Sequence, residues 1–375
     1  MKEKYFLLDN TYNFMNHGAF GCVLRQALEY SHSFQYYIEK QPLRFYDREL
    51  LPRLVDIIRK MARFLRCKTP KNVILVENVT FAWNSVIKSL NLNDKSHIFI
   101  MNTMYGAYKK LLHKICLETG AKFYEFIIEF PIDDINKLLD EMKLILKSFE
   151  FTHAFFDHIS SNSPFILPIN DLCYYYDYLP DIYLTNCHKW FCAPKGVALL
   201  YIKSTTKLTI HSSIQSHGIH SGIHSEFIWT GLKDYTSFLA LNECLRFWSF
   251  YDMNIIIKRN IQLAKDASDL LVNMWKTSKL TSDDISGPMR CIKLPFFDED
   301  ENFKYDHAEI IQNQLYHRFN IEVPIKVIHG NLYVRISAHI YNSIEQYEQL
   351  GHAIINIVRK RSQKEETNLL TYETN

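Results

Sequence analysis

Glycine and proline are scarce, 11 of each in 375 residues, which excludes collagen-like repeats and long low-complexity linkers. Charge of one sign is missing too. Lys and Arg number 43 against 41 Asp and Glu, a net charge of +2, without the basic excess expected of a nucleic-acid binder. No apolar run reaches the roughly 18 residues a membrane-spanning helix needs. The first residues, Met1-Lys2-Glu3-Lys4-Tyr5-Phe6-Leu7-Leu8-Asp9, lack the apolar stretch of a secretion signal. The eight cysteines form no CxxC pair and read as free, buried thiols of a reducing compartment. These absences lead to the expectation of a cytoplasmic chain with neither a nucleic-acid nor a membrane partner. GxGxxG, GxxxxGK[ST], HExxH and GxSxG are all absent, so nucleotide, zincin and hydrolase readings have no motif behind them.

What is present is apolar and aromatic: 47% hydrophobic residues, with 25 Phe and 23 Tyr spread along the whole chain. That spread suits core filling rather than a stacking platform. The length suits one large domain plus a smaller one. Leu51, Leu54, Val55, Ile58, Met61 and Leu65 recur at helical spacing. Val73–Val76 then reads as a buried strand, and the Asn and Thr of Glu77-Asn78-Val79-Thr80 can cap a helix over 81–90. Strand 97–101, helix 107–119 stopped by Gly120, strand 122–128, helix 133–147 opened by Asp133 and Asp134, strand 153–157 and strand 197–202 follow. Strands alternating with helices predict an α/β fold with a mostly parallel sheet, whose ligands sit at the carboxyl ends of the strands. Helix 262–274, strand 289–293, helix 307–319, strand 332–337 and helix 343–361 predict a compact α+β unit. The last helix opens on a capping box, Ser343 with Gln346.

Asp181-Ile182-Tyr183-Leu184-Thr185-Asn186-Cys187-His188-Lys189-Trp190 runs on to Pro194-Lys195-Gly196. A lysine just past a strand end, beside a histidine and a cationic turn, suits a Schiff-base site, because an imine needs a neutral, positioned amine. A solvated loop lysine is the alternative. His211, His217, His220 and His224 invite a metal reading. Interleaved Gly and Ser, and no nearby Cys or carboxylate cluster, favour a plain loop, and no metal is expected.

Ordered stretches resemble the class V aminotransferase family of pyridoxal 5'-phosphate (PLP) enzymes, in its isopenicillin N epimerase-like and L-cysteine desulfhydrase-like branch. They are Met15-Asn-His-Gly-Ala-Phe-Gly21, Glu77-Asn-Val-Thr-Phe-Ala-Trp-Asn84, Tyr105-Gly-Ala-Tyr108, Asp157-His-Ile-Ser-Ser161 with Pro168, Asn186-Cys-His-Lys-Trp190, Phe227-Ile-Trp-Thr-Gly231 with Asp234, and Val334-Arg-Ile-Ser-Ala-His-Ile-Tyr-Asn342. The resemblance implies the PLP-dependent transferase fold (type I). It divides the chain into an N-terminal substrate-loop segment 1–19, a PLP-binding large domain 20–262, a C-terminal small domain 263–362 and a polar tail 363–375. It implies a homodimer and a carbon–sulfur lyase acting on a cysteine-like amino acid, with epimerase and transaminase as alternatives. Lys189 would join PLP covalently and move the α-proton. Val79 and Thr80 would hold the phosphate at a helix N-terminus, helped by Asn186 and His188. Tyr105 would stack on the pyridine, Ser161 would contact its ring oxygen, Arg335 would clamp the substrate carboxylate, and Asn16 and His17 would line the substrate loop.

Two departures from the family stand out. A helix and strand ending in Asp-Gly-Ala-His, whose Asp pairs with the pyridine nitrogen, are missing between Pro168 and the Lys189 segment, apparently near 173–180. Of the carboxylates left there, Asp171, Asp177 and Asp181, the last matches another family position, which leaves Asp177 as the only candidate. Leu232 stands where the family has a threonine that reaches the partner subunit's phosphate. The chain thus also reads as a shortened, catalytically impaired member acting as a dimer partner.

Overall fold

The computed structural model describes residues 2–169, 180–296 and 302–372. The stretch 170–179, with Asp171, Cys173 and Asp177, lies outside them, so the candidacy of Asp177 does too. Eleven short strands are formed among the described residues: β1 (Asn13–Phe14), β2 (Val73–Val76), β3 (His97–Met101), β4 (Lys122–Phe126), β5 (His153–Ala154), β6 (Ile182–Asn186), β7 (Ala198–Ile202), β8 (Met289–Lys293), β9 (Ile321–Glu322), β10 (Ile325–Ile328) and β11 (Asn331–Ser337). The helices that matter for the site are α1 (Arg25–Lys40), α2 (Leu50–Phe64), α3 (Val79–Ser89), α4 (Gly106–Thr119), α5 (Ile135–Ser148), the single turn α6 (Cys187–Trp190), α7 (Leu241–Phe250), α8 (Met253–Trp275), α9 (Tyr305–Phe319) and α10 (Ile344–Tyr372).

Local chemistry sets the boundaries. Asn78 caps α3, its side chain accepting the Phe81 N–H at 2.8 Å. Asp134 caps α5 through the N–H of Asn136, and Gly120 ends α4 in the left-handed conformation at φ 77°. Every residue of β2 is buried. Val73 and Leu75 face the cluster built on α1, α2 and α7, whereas Ile74 and Val76 face the cluster under α3. In β3 the same alternation sends Phe99 and Met101 toward α5 and Ile98 and Ile100 toward α4. Helices therefore cover both faces, as continuous apolar strands require.

Strands β2 to β7 form two three-stranded sheets. β4-β3-β5 is parallel throughout. In β2-β7-β6 the central β7 is antiparallel to both neighbours, so β2 and β6 run the same way and β7 alone is reversed. Among the described residues neither β5 nor β6 has a second strand partner, and both line one cavity. The expected strand 153–157 shrinks to His153–Ala154, which pair with β3 alone. The side chains of His158 and Tyr183 meet across this slot, Nδ1 to hydroxyl, at 3.0 Å.

The C-terminal part is a β10-β11-β8 antiparallel sheet packed on α8, α9 and α10. Gln346 accepts the Ser343 N–H, as the capping box predicts. α10 runs on to Tyr372, through most of the stretch expected as a polar tail. β1 pairs in parallel with β9, Asn13 opposite Ile321, so the N-terminal segment is built into the C-terminal part. Among the described residues no helix is long and apolar enough to cross a membrane.

Candidate active site

The carboxyl ends of β2, β5 and β6 open into a cavity of about 1580 Å³. Its wall includes His17, Val79, Thr80, Tyr105, Asp157, Ser161, Asn186, His188 and Lys189. Eight of the ten residues expected in the site thus line this wall, and the other two, Arg335 and Asn16, connect to it through the hydrogen bonds described below.

Lys189 sits on α6, directly after β6. Burial lowers the pKa of its amine, and the Arg335 guanidinium lowers it further. Arg335, on β11, is 4% exposed. Its guanidinium donates to the Ser161 carbonyl and, at 3.1 Å, to Asn16 Oδ1, while its buried Nε has no partner. A buried cation with an unmade hydrogen bond is a strong acceptor-seeking group.

At the other end of the cavity, the N-terminus of α3 presents Val79 and Thr80. The Val79 N–H already donates to Asn186 Oδ1 at 3.1 Å, so Asn186 stands where an anion at this helix end would bind. Thr80 is exposed at the wall. His188 Nδ1 is buried without a partner; burial, then Lys189 and Lys195, pull its pKa down to about 4. Tyr105 is half exposed and meets Tyr108 edge-on at 5.0 Å. Its N–H donates to Asp157 Oδ2 at 3.0 Å. Burial pushes the Asp157 carboxyl up to about 6, against that hydrogen bond.

Asn16 and His17 sit at the junction between β1 and the site. His17 reaches the wall, yet both ring nitrogens are taken: Nδ1 lies 2.7 Å from the Tyr341 hydroxyl and Nε2 2.8 Å from the main-chain oxygen of Lys189. The ring is therefore not free to meet a substrate, contrary to the expectation for the substrate loop. The approach is close: a Cβ on Gly21, at φ +68°, would stand 1.7 Å from the His188 carbonyl oxygen. Gly21→Ala is expected to cost about 2–4 kcal/mol, read as a fall in the melting temperature; an unchanged melt would show that the N-terminal segment does not press on α6.

The residues that sequence reasoning missed are those that meet these from far along the chain. His339 stacks on His17, centroids 3.8 Å apart and 13° from parallel, and Cys192 Sγ lies 3.6 Å from His339 Nε2. Ligand atoms of His17, Cys192 and His339 fall within 4.8 Å of one another. Parallel stacked imidazoles, however, aim their in-plane lone pairs side by side, and His17 has spent both nitrogens, so the trio lacks the converging geometry of a metal site. His211 bonds Glu226 at 2.9 Å and His224 the Lys71 carbonyl at 3.0 Å, which disperses the histidine-rich stretch. The quoted Val334–Asn342 stretch held His339 and Tyr341, but no signal tied them to His17.

The donor set fits PLP. A buried amine with lowered pKa, an orphaned buried His188 nitrogen and a capped helix N-terminus line one cavity, and the Arg335 guanidinium, with an orphaned buried nitrogen, donates to the wall residue Ser161.

No family model matches the chain. It is 25% identical to the probable chloroplastic L-cysteine desulfhydrase of Arabidopsis thaliana, over 92% of this chain and 82% of the relative. It is also 25% identical to isopenicillin N epimerase of Streptomyces clavuligerus, over 93% and 95%. The Arabidopsis alignment spans 398 positions, more than the 375 residues of this chain, so that relative carries residues absent here. In fold the chain is similar to the cysteine desulfurase CsdA of Escherichia coli, with TM-score 0.70 at 14% identity over 96% of this chain and 97% of that one. It is similar also to the cystine C-S lyase C-DES, solved with its product cysteine persulfide, with TM-score 0.72 at 15% identity over 93% and 98%. The chain carries the fold of the class V aminotransferase family of PLP enzymes, and its sequence relatives are L-cysteine desulfhydrases and isopenicillin N epimerases.

Proposed function

We propose that this chain is a PLP-dependent carbon–sulfur lyase acting on a cysteine-like amino acid. The observation that carries the reading is the buried Lys189 amine in the cavity wall, its pKa lowered by burial and by the Arg335 guanidinium, which is incompletely bonded and donates to the wall residue Ser161. The desulfhydrase names among its relatives and the lyase among its structural neighbours support the choice of reaction. Bound PLP supplies an electron sink for the pair released at the substrate α-carbon.

Lys189 holds PLP and takes the α-proton at Nζ, a role suited to an amine whose pKa is lowered by burial. Thr80, Val79, Asn186 and His188 hold the phosphate. Tyr105 covers the ring, and Ser161 meets its oxygen. Arg335 keeps its bond to Asn16 and meets the substrate carboxylate through the orphaned Nε. The C–S pair leaves with sulfur, so that L-cysteine yields sulfide and, after hydrolysis, pyruvate and ammonia.

The test is the absorbance of the chain loaded with PLP, with sulfide release from L-cysteine, in wild type and Lys189→Ala. The variant is expected to lose the band of covalently held PLP and about a thousandfold in rate. Keto-acid exchange without sulfide would sink the lyase assignment in favour of a transaminase.

A second reading is favoured by one observation, that among the described residues neither β5 nor β6 has a second strand partner: a shortened family member, catalytically impaired, that acts as a dimer partner. A folded chain that takes up no PLP would put it first. We also propose a homodimer, in which a second copy covers Phe20, 73% exposed at the cavity wall, and a cytoplasmic location, in keeping with the free thiols.

A further inference from the structure

Two adjacent residues reach both cations of the site. Asn16 Oδ1 accepts from Arg335 at 3.1 Å, and Asn16 Nδ2 donates to Glu322 at 3.2 Å. His17 Nε2 meets the main-chain oxygen of Lys189 at 2.8 Å. A carbonyl can only accept, so Nε2 carries the proton. Nδ1 is then the acceptor of the Tyr341 hydroxyl at 2.7 Å. The ring is neutral, buried, and held flat against His339.

The turn that carries Lys189 needs such a tie. α6 has only four residues, and a helix that short leaves its carbonyls without intrahelical partners. The Lys189 oxygen receives the Cys192 N–H at 3.3 Å, and His17 supplies the shorter bond. Gly21 keeps the N-terminal segment against the His188 carbonyl.

We propose that the Asn16–His17 dipeptide is a positioning device that fixes the Lys189 backbone at a set distance from Arg335. This rests on the reading of Lys189 as the lysine that holds PLP. A substrate must offer its α-carbon to Lys189 while Arg335 holds its carboxylate, so the two cations have to keep one separation. A misplacement of about 1 Å at such a site costs about a hundredfold in rate. His17 acts through Lys189 and Tyr341 acts through His17; neither touches the substrate.

The experiment uses the full chain and its His17→Ala, His17→Gln and Lys189→Ala variants. Covalent PLP is trapped by borohydride and located by mass. The absorbance of the held PLP is titrated with pH, and kcat and KM are measured apart. His17→Ala is expected to shift the titration midpoint and lower kcat about a hundredfold with KM little changed. His17→Gln keeps an N–H donor within reach of the Lys189 oxygen, and is expected to bring the midpoint back to the wild-type value and kcat to within about tenfold of it. If His17→Ala does not fold, His17→Gln decides: wild-type midpoint and kcat support the tie. The proposal is overturned if His17→Ala keeps the wild-type midpoint and kcat, or if His17→Gln folds but is as impaired as the alanine variant. Trapped PLP that persists in Lys189→Ala refutes the underlying reading instead, whatever the His17 variants do.

Discussion

Replacing His17 with Gln is expected to flatten the acid limb of the stability curve by about 3 kcal/mol between pH 7 and pH 4. Burial lowers the His17 pKa from its ordinary 6.5 to about 4, and Lys195, Lys189 and His188 add to the shift. As the pH falls through 6.5 the unfolded chain takes up this proton and the folded one does not. The stabilisation is therefore complete above 6.5 and is lost progressively down to about 4. At about 1.4 kcal/mol per pH unit, that window of about 2.5 units gives the figure. His339, buried and facing His17 and Arg259, has its pKa lowered in the same direction and adds acid sensitivity. Asp157 works against both. Its folded pKa is raised to about 6, so protonation below that pH favours the folded state, and Asp157→Asn should steepen the same limb. Denaturant unfolding at pH 7, 6, 5 and 4.5 on the three proteins separates the terms. Parallel curves for wild type and His17→Gln would mean that the ring titrates as it does in the unfolded chain.

Filling the gap between β5 and β6 should raise the stability of the fold. Grafting between residues 169 and 180 the helix–strand segment of an L-cysteine desulfhydrase relative, in the expectation that the residues this chain lacks belong there, would pair the open edges of both sheets. Each backbone bond made contributes about 0.5–1.5 kcal/mol net, and apolar walls such as Phe155, Ile182 and Leu184, which line the cavity, would be covered. A rise of about 4–5 °C in melting temperature is expected, equivalent to roughly 3–4 kcal/mol for a chain of this size, with weaker binding of the dye ANS. An unchanged or lower melt would show that the two sheets are complete as they stand.

Much of this was legible in the residues. Val73–Val76, His97–Met101 and Met289–Lys293 fold as the strands their apolar runs predict, to the residue. The caps at Asn78, Asp134 and Gly120 act where side-chain chemistry or positive φ demands. Lys189 fell at a strand end and opens into the cavity because a parallel arrangement gathers the carboxyl ends of its strands. Other features depend on neighbours no local pattern encodes. β5 ends at Ala154, where its pairing with Ile98 and Phe99 of β3 stops, although Phe155 and Phe156 favour a strand. The role of His17 is set by Tyr341 and the carbonyl of Lys189, and a single histidine in Asn-His-Gly carries no mark of either. Leu232, at the position where the resemblance implies a threonine reaching a partner subunit, is 75% exposed.

The pairing of β1 with β9 also orders events in time. Asn13 lies opposite Ile321, and the partners of Asn16 and His17 include Arg335 and Tyr341, separated from them by 319 and 324 positions. During synthesis from the N-terminus, the first residues of the site leave the ribosome early and wait for nearly the whole chain. The sheets around β2 and β3 can begin to pack meanwhile, whereas Lys189 gains its tie to His17 only when the last tenth of the sequence arrives. Contacts of such long sequence separation form late and slowly, so a chain arrested before Arg335 would hold most of its core and none of its finished active site.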